Sequence, residues 1–242
     1  MNDIIKIVHE LGWSKTLYDI FFVLGFVSVF LFVVLFGKKI GIKPLQSILT
    51  VLIVYPIVVL WMFVMFWIES GFRDFGGNNI VRIFVYVPLV AYPVAKLLKI
   101  PYGEMCSMLS LGPASVHAVS HIGCIFSGCC RGYPCSWGLY NSFTDDIRFP
   151  IQLIEVFLAW LILFYLLLRA KKRKYVPDGF EYPMMLVMFG TSRFVCEFMR
   201  DNEKIWLGCS SLAFHALFMA VVGLVWILIK KKQINQTRGT NN

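Results

Sequence analysis

Seven apolar segments of roughly membrane-spanning length divide this 242-residue chain. A helix that crosses the hydrocarbon core of a bilayer needs about 20 mostly apolar residues. The segments that approach this length lie at Leu17–Phe36, Ile48–Ile68, Ile80–Leu98, Ser107–Gly128, Ile151–Leu168, Pro183–Met199 and Leu207–Ile229. We therefore expect an all-α, polytopic integral membrane protein with about seven transmembrane helices.

The composition excludes several other classes of protein. Apolar residues make up 58% of the chain and charged residues only 15%, whereas a soluble domain averages about 45–50% and about 25%. A water-facing globular domain, a disordered chain, collagen and a coiled coil are all poor descriptions. The net charge of +9 comes from short basic clusters beside apolar segments. Because these clusters form no basic face or arm, we predict membrane lipid as a partner and no nucleic acid.

The basic residues also predict the orientation of the chain. Residues 37–47, 96–99, 169–174 and the tail after 229 hold 14 Lys and Arg residues, whereas the alternate connections hold seven. Cytoplasmic segments carry the excess of positive charge. We therefore expect the N-terminus outside and the C-terminus in the cytoplasm, which requires an odd number of spans.

We expect one transmembrane domain over residues 1–242. Residues 1–16 alternate polar and apolar side chains without a cleavable signal pattern, which predicts an amphipathic helix on the outer surface. Residues 17–229 would form the seven-span bundle, and residues 230–242 a basic, polar cytoplasmic tail.

Polar residues inside the apolar segments indicate where the chemistry takes place. An ionisable residue in a membrane costs several kcal/mol unless it is paired or solvated. Three pairs share a helix face by their spacing of three or four residues: His117 with His121, Gln152 with Glu155, and Arg193 with Glu197. In the predicted orientation all of them lie toward the outer half of the membrane, so we expect one polar cavity that opens outward.

The seven cysteines leave several interpretations open. Their odd number excludes complete pairing within a monomer, although Cys129, Cys130 and Cys135 lie at the outer boundary, where a disulfide could form. A metal site would use His117, His121, Cys124 and either Cys129 or Cys130, but this spacing matches no known zinc element. A thiol oxidoreductase would favour a Cys-x-x-Cys motif, which is absent. We predict no metal and no cofactor.

Three sequence blocks together resemble the prolipoprotein diacylglyceryl transferase family. They are the glycine-containing block around Gly123, Gly128 and Gly132, the Arg-x-Pro-x-Gln-Leu-x-Glu run over 148–155, and the Arg-Phe-x-x-Glu-Phe-x-Arg-Asp run over 193–201. The resemblance covers residues 105–225, and the first hundred residues agree only in their span pattern. It implies a seven-span enzyme of the bacterial cytoplasmic membrane. Such an enzyme moves the diacylglyceryl group of phosphatidylglycerol to the lipobox cysteine of a prolipoprotein signal peptide and releases glycerol phosphate.

The implied reaction assigns roles to the polar residues. An anionic lipid phosphate needs cations that form paired hydrogen bonds, and the acceptor thiol needs a base, since the thiolate is the nucleophile. The predicted catalytic residues are His121, Arg193 and Glu197. The predicted substrate-binding residues are Arg148, Gln152, Glu155, Arg82, Arg200, Gly123 and Gly128. Each of these types also has a structural interpretation: a packing histidine, glycines at helix contacts, an Arg193–Glu197 ion pair, and arginines that extend to the interface.

The sequence departs from the family pattern at three places. The family usually has Arg at the position of His121 and Asn at that of Cys124, and its third span usually carries a His-Gly pair. Here the third span carries Arg82 and no histidine. Either His121 serves as the base and Arg82 restores a cation, or the chain is a diverged member with another acceptor or no transferase activity. A lipid- or peptide-binding protein on the same scaffold and a membrane thiol or metal redox protein are the alternatives.

Overall fold

The computed structural model describes residues 1–72, 83–171, 179–205 and 208–239, and this part of the chain is mostly helical. Its helices are α1 (Asn2–Glu10), α2 (Ser14–Lys39), α3 (Pro44–Glu69), α4 (Val87–Leu98), α5 (Tyr102–Leu109), α6 (Leu111–Ser127), α7 (Ile151–Lys171), α8 (Glu181–Glu197) and α9 (Ser211–Gly239). Two short strands, β1 (Pro134–Asn141) and β2 (Asp146–Arg148), lie between α6 and α7.

Five stretches among the described residues are long and apolar enough to cross a membrane: Ser14–Lys39, Pro44–Ile68, Tyr102–Ser127, Ile151–Ala170 and Ser211–Gln236. They agree with the first, second, fourth, fifth and seventh predicted segments and make the chain a helical membrane protein. The third predicted segment begins outside the described residues and ends with α4, which has 12 residues. The sixth corresponds to α8, which has 17 residues. Seven spans and their orientation therefore stay a prediction.

The stretch formed by α5 and α6 is the centre of the bundle. In the apolar window of this stretch, 78% of the residues are buried. The corresponding share in the other four candidate spans is between 22% and 39%. Helix α6 packs against α2 on one side and α7 on the other, and α8 packs against α9. The polar residues of α6 are therefore surrounded by neighbouring helices and not by lipid.

Small residues allow the closest helix contacts. A Cβ atom added at Gly25 of α2 would lie 3.0 Å from the Cβ atom of Ser120, and one added at Gly123 would lie 3.0 Å from the Cα atom of Tyr18. Without side chains at these positions, the backbones of α2 and α6 approach each other closely, as is typical of membrane helices. This contact holds the histidine-bearing helix against α2.

The segment after α6 forms a small hairpin that connects the N-terminus to the bundle. Strands β1 and β2 pair antiparallel, with Tyr140 opposite Ile147. The side chain of Asn2 donates to the carbonyl of Gly138 at 3.2 Å and accepts from the amide of Tyr140 at 3.1 Å. Helix α1 therefore lies on the hairpin, and its placement at the outer membrane surface stays a prediction.

Candidate active site

Helix α6 brings two histidines into the interior of the bundle. His117 and His121 are buried and lie one helical turn apart, and their rings stack with centroids 4.3 Å apart. The edge of the Phe189 ring contacts His117 from α8, with the centroids 5.0 Å apart. Both imidazoles are thus held in fixed positions at the centre of the bundle.

Glu155 of α7 is the centre of the ionic network. Its carboxylate accepts hydrogen bonds from the guanidinium groups of Arg193 and Arg200, and His121 Nε2 lies 2.5 Å from Glu155 Oε2. All four residues are buried, with exposed fractions between 2% and 6%. The same ring nitrogen lies 3.2 Å from Arg200 Nη2, so Nε2 contacts both an acceptor, the carboxylate, and a donor, the guanidinium.

A second carboxylate supports the network from α8. Glu197 Oε2 lies 3.1 Å from Arg193 Nη2, one turn earlier on the same helix. Its other oxygen accepts hydrogen bonds from Asn202 and, at 2.6 Å, from the Ser210 hydroxyl. Within the part of the chain that the structure describes, Arg193 Nε has no hydrogen-bond partner. Arg193 is therefore fixed by two carboxylates, and its buried Nε–H group is left without a partner in this part of the chain.

The chain after α8 places Arg200 beside the segment that follows α6. The Tyr133 amide donates to the Met199 carbonyl at 3.4 Å, and the Asp201 amide donates to the Arg131 carbonyl at 3.1 Å. Arg200 itself pairs with Gly132 in the same short bridge. These contacts join two of the sequence blocks that carry the family resemblance.

Arg148 lies in this outer layer and is bound to two carboxylates. Its Nη1 lies 2.6 Å from Asp201 Oδ2, and its Nε lies 2.8 Å from Asp146 Oδ1. The hydrogen bond from Arg148 lowers the pKa of the Asp146 carboxyl, and the same bond raises the pKa of Arg148. Because Asp201 directly follows Arg200, the contact with Arg148 holds the segment that carries Arg200. Arg148 itself does not line the nearby cavity.

Three thiols lie next to the ionic network. The Cys124, Cys129 and Cys130 thiols interact with one another where α6 ends. Hydrogen bonds with the other two thiols, together with the nearby Arg200, lower the pKa of Cys130 well below its usual value. The described cysteines, Cys135 included, are all free thiols.

A cavity of about 590 Å³ opens onto these groups. Its polar lining side chains are His117, Ser120, His121, Cys124, Cys129, Cys130, Arg193, Arg200 and Asn202. Its aromatic and aliphatic lining side chains are Tyr18, Phe22, Phe26, Val59, Met62, Phe63 and Leu212. The volume lies within the range of about 300–1,000 Å³ that is usual for small-molecule sites, and a lining of both kinds suits an amphiphilic ligand.

Most of the predicted site residues meet in one place, but not all of them line the cavity. Gln152 donates to the Cys129 carbonyl at 3.0 Å and so supports the thiol-bearing turn. Gly123 lies at the contact with α2, and Gly128 lies in the turn after α6, where Asn141 binds its carbonyl at 2.8 Å. Arg82 lies outside the described residues.

The sequence analysis missed two supporting residues. Asn202 directly follows the Arg-Asp pair that ends the third block, and this position could have identified it. Ser210 had no signal in the sequence, because its contact with Glu197 depends on how the chain returns from α8 to α9. Both side chains donate hydrogen bonds to Glu197 Oε1 and add no charge of their own.

A comparison with known protein families gives a match to the prolipoprotein diacylglyceryl transferase family over residues 6–229. The chain belongs to this family. The match includes all three sequence blocks and every described helix that contributes to the site. The residues of the ionic network therefore lie in the part of the chain that defines its membership.

Curated proteins named phosphatidylglycerol–prolipoprotein diacylglyceryl transferase are similar to this chain at low sequence identity. The chain is 22% identical to the phosphatidylglycerol–prolipoprotein diacylglyceryl transferase of Clostridium tetani over 165 residues, 64% of this chain and 62% of that protein. It is 23% identical to the second such transferase of Clostridium perfringens, over 66% and 65% of the two chains. A shorter match, to the transferase of Campylobacter lari, is 35% identical over 38% and 32%. The chain thus aligns with slightly less than two thirds of the length of the two clostridial relatives and with about one third of the third one.

Proposed function

We propose that this protein transfers the diacylglyceryl group of phosphatidylglycerol to the lipobox cysteine of a prolipoprotein and releases glycerol phosphate. The observation that carries the proposal is the buried His121–Glu155 pair: its carboxylate binds Arg193 and Arg200, and His121 and both arginines line the cavity. Family membership independently supports the same class of reaction.

The cavity has the two surfaces that a phospholipid donor needs. Phe22, Phe26 and the neighbouring apolar side chains can pack against the proximal acyl chains. Arg193 and Arg200 line the same cavity, and guanidinium groups bind phosphate oxygens through paired hydrogen bonds. Arg193 Nε is buried and has no hydrogen-bond partner among the described residues, so its N–H group is the one we expect to donate to a phosphate oxygen.

The reaction requires a base and a stabilised leaving group. His121 would take the proton of the acceptor thiol on Nδ1, while Glu155 holds the opposite ring nitrogen. The thiolate sulfur then attacks the glyceryl carbon that bears the phosphate. A carbon–sulfur bond forms, the carbon–oxygen bond breaks, and its electron pair leaves with glycerol phosphate. Arg193 and Arg200 would stabilise the charge on that phosphate, and Glu197 would hold Arg193 in place.

The remaining parts of the proposal concern topology and partners. We propose seven spans with the N-terminus outside, so that the cavity faces the outer side of the bacterial cytoplasmic membrane. The prolipoprotein signal peptide would then reach the cavity together with membrane lipid. In this arrangement Arg82 would add a cation from the third span, and Arg148 would act through Asp201 to hold the segment of Arg200 in position.

The departures from the family pattern favour a second candidate function. His121 and Cys124 stand where the family usually has Arg and Asn, and the third span carries no histidine. A catalytically altered or inactive member would keep the cavity and bind lipid or peptide without transferring the diacylglyceryl group. Activity separates this candidate from the first one.

Complementation of a strain depleted of its own transferase tests the proposal, with the electrophoretic mobility of a lipoprotein as the readout. We expect the parent chain and a Lys15→Gln control to restore lipoprotein modification, because Lys15 is an exposed residue that pairs with the exposed Asp19. We expect His121→Gln to fail at equal protein levels. If the parent chain is expressed in the membrane but restores no modification, the transferase proposal is wrong and the binding function stands.

A further inference from the structure

Four metal-ligating side chains come together where α6 ends. They follow the pattern His121-x-x-Cys124-x-x-x-x-Cys129-Cys130. Ligand atoms of His121, Cys124 and Cys130 all lie within 4.8 Å of one another. The Cys129 thiol interacts with those of both other cysteines and accepts a hydrogen bond from the Ser127 hydroxyl at 3.1 Å. One imidazole and two thiols thus converge, and the thiol of Cys129 lies beside them.

The backbone explains how a pattern unlike the usual zinc elements can converge. Helix α6 places His121 and Cys124 on neighbouring turns and ends at Ser127. Gly128 then adopts a φ of 70° and Cys130 a φ of 56°, both in the left-handed region. A non-glycine residue in this region is uncommon and is found most often at functional sites. The two left-handed residues turn the chain so that Cys129 and Cys130 return toward Cys124.

The chemistry of the ligands selects the class of ion. Three thiolates and one imidazole form a soft, tetrahedral set that zinc binds in structural sites and that also suits other thiophilic ions. Zinc with three thiolates carries one negative charge, and the guanidinium of Arg200, which contacts Cys130, would offset it. All four ligand residues line the cavity, so an ion has a path to them.

A second group of possible ligands is less suitable. His117, His121 and Glu155 also lie within metal-binding distance of one another. Two guanidinium groups already occupy the Glu155 carboxylate, however. A cation there would be repelled by Arg193 and Arg200, whereas the thiol group can supply up to three negative charges of its own.

We propose that Cys124, Cys129, Cys130 and His121 form a binding site for one zinc-like, thiophilic metal ion. The proposal is independent of the transferase function. It predicts a link between the two, because coordination of His121 removes the base that transfer would use. The chain would then hold either a metal ion or a catalytically competent histidine.

Cobalt binding to the purified full-length protein tests the site. The protein is kept reduced in detergent, freed of metal with a chelator and titrated with Co²⁺. We expect one equivalent to bind, with a sulfur-to-cobalt charge-transfer band and tetrahedral d–d bands, and Zn²⁺ to abolish both. Cys124→Ser, Cys129→Ser and Cys130→Ser should each weaken binding by about 10-fold or more, and His121→Gln should shift the d–d bands.

Cys135→Ser is the matched control, because Cys135 lies in β1 only five residues beyond the site and is not part of the thiol cluster. It should bind cobalt like the parent. Thermal melting of each variant in the absence of metal verifies that it is folded. The absence of a charge-transfer band in the folded parent, or unchanged binding by a folded Cys129→Ser/Cys130→Ser variant, overturns the site. An unchanged spectrum for His121→Gln overturns the assignment of His121. None of these results depends on transferase activity.

Discussion

His121 Nε2 lies 2.5 Å from Glu155 Oε2, across the contact between α6 and α7. The two residues are 34 positions apart in the chain and belong to different sequence blocks. The carboxylate fixes the imidazole in the arrangement used by bases that are oriented by a third group. Because Arg193 and Arg200 bind the same carboxylate, one residue holds both the proposed base and the proposed phosphate ligands.

Replacing His121 tests its role in transfer. If Nδ1 takes the thiol proton, His121→Gln lowers the rate by about 100-fold or more, the usual scale for loss of a positioned base. The rate of the parent protein then rises with pH as an imidazole loses its proton, because only the neutral ring can accept one. Transfer from labelled phosphatidylglycerol to a lipobox peptide, measured against pH, provides both results.

His121→Arg distinguishes the other two interpretations of this residue. A histidine that replaces the family's arginine as a phosphate ligand must be protonated, so activity falls as pH rises and the Arg variant keeps or improves it. A packing histidine gives no pH response, and its Gln variant mainly loses stability. Full activity of the His121→Gln variant therefore excludes His121 as the base.

We predict that replacement by lysine affects Arg193 and Arg200 more strongly than Arg148. Arg193→Lys and Arg200→Lys keep the charge but lose the planar fork that binds Glu155 and, in the proposed reaction, the phosphate. We expect each to lower transfer by at least about 10-fold. Arg148 contacts Asp146 and Asp201 outside the cavity, so Arg148→Lys should lower transfer less and leave the KM for lipid close to that of the parent. Initial rates measured against the phosphatidylglycerol content of mixed micelles give both the transfer rate and the KM for lipid.

A double-mutant cycle supplies the control for Arg148. If Arg148 acts only through Asp201, then Asp201→Asn and the double variant with Arg148→Lys have the same activity as Arg148→Lys alone. An additive loss, or a KM effect as large as that of Arg193→Lys, instead makes Arg148 a direct ligand of the phosphate.

The sequence predicted the helical membrane architecture and most of the ionic cluster, because apolar length and helical spacing are local properties. The pairs His117–His121 and Arg193–Glu197 share a face, as their spacing indicated. What the sequence could not provide is which blocks meet in space. The contact between Arg200 and Glu155 and that between Ser210 and Glu197 depend on long-range packing. The convergence of the thiols depends on two left-handed residues after α6, which the spacing of the cysteines did not reveal.

The predicted orientation is tested by reporter fusions. A reporter fused after Lys174 should be cytoplasmic, because residues 169–174 carry five positive charges. A reporter inserted within residues 136–146 should be external, on the side of the hairpin that contacts Asn2. Alkaline phosphatase activity, which requires export, and fluorescence of a protein that folds only in the cytoplasm give opposite readouts. The reverse pattern would make the cavity face inward and contradict the proposed function.

The contact between α8 and α9 gives a prediction about stability. A Cβ atom added at Gly190 would lie 2.6 Å from the Ala220 amide nitrogen and 2.7 Å from the Ala216 carbonyl oxygen. Both are backbone atoms, so the helices must separate to accommodate a methyl group. We expect Gly190→Ala to lose about 1–3 kcal/mol of stability, the usual range for overpacking, and to melt at a lower temperature in detergent.

Gly103→Ala is the control for this contact. Gly103 also lies in a helix, α5, but a Cβ atom added there would meet nothing within 4 Å. Its variant should melt at or slightly above the parent temperature, because alanine is the better helix former. Gly190 lies three residues before Arg193, so a shift of α8 also displaces the guanidinium from Glu155, and a displacement of about 1 Å can lower a rate by about 100-fold. We therefore expect the Gly190→Ala variant to transfer more slowly than the parent even at temperatures at which it is folded. At the same temperatures the Gly103→Ala variant should keep the transfer rate of the parent. Equal melting and equal transfer by the two variants would show that the α8–α9 contact does not position the arginine.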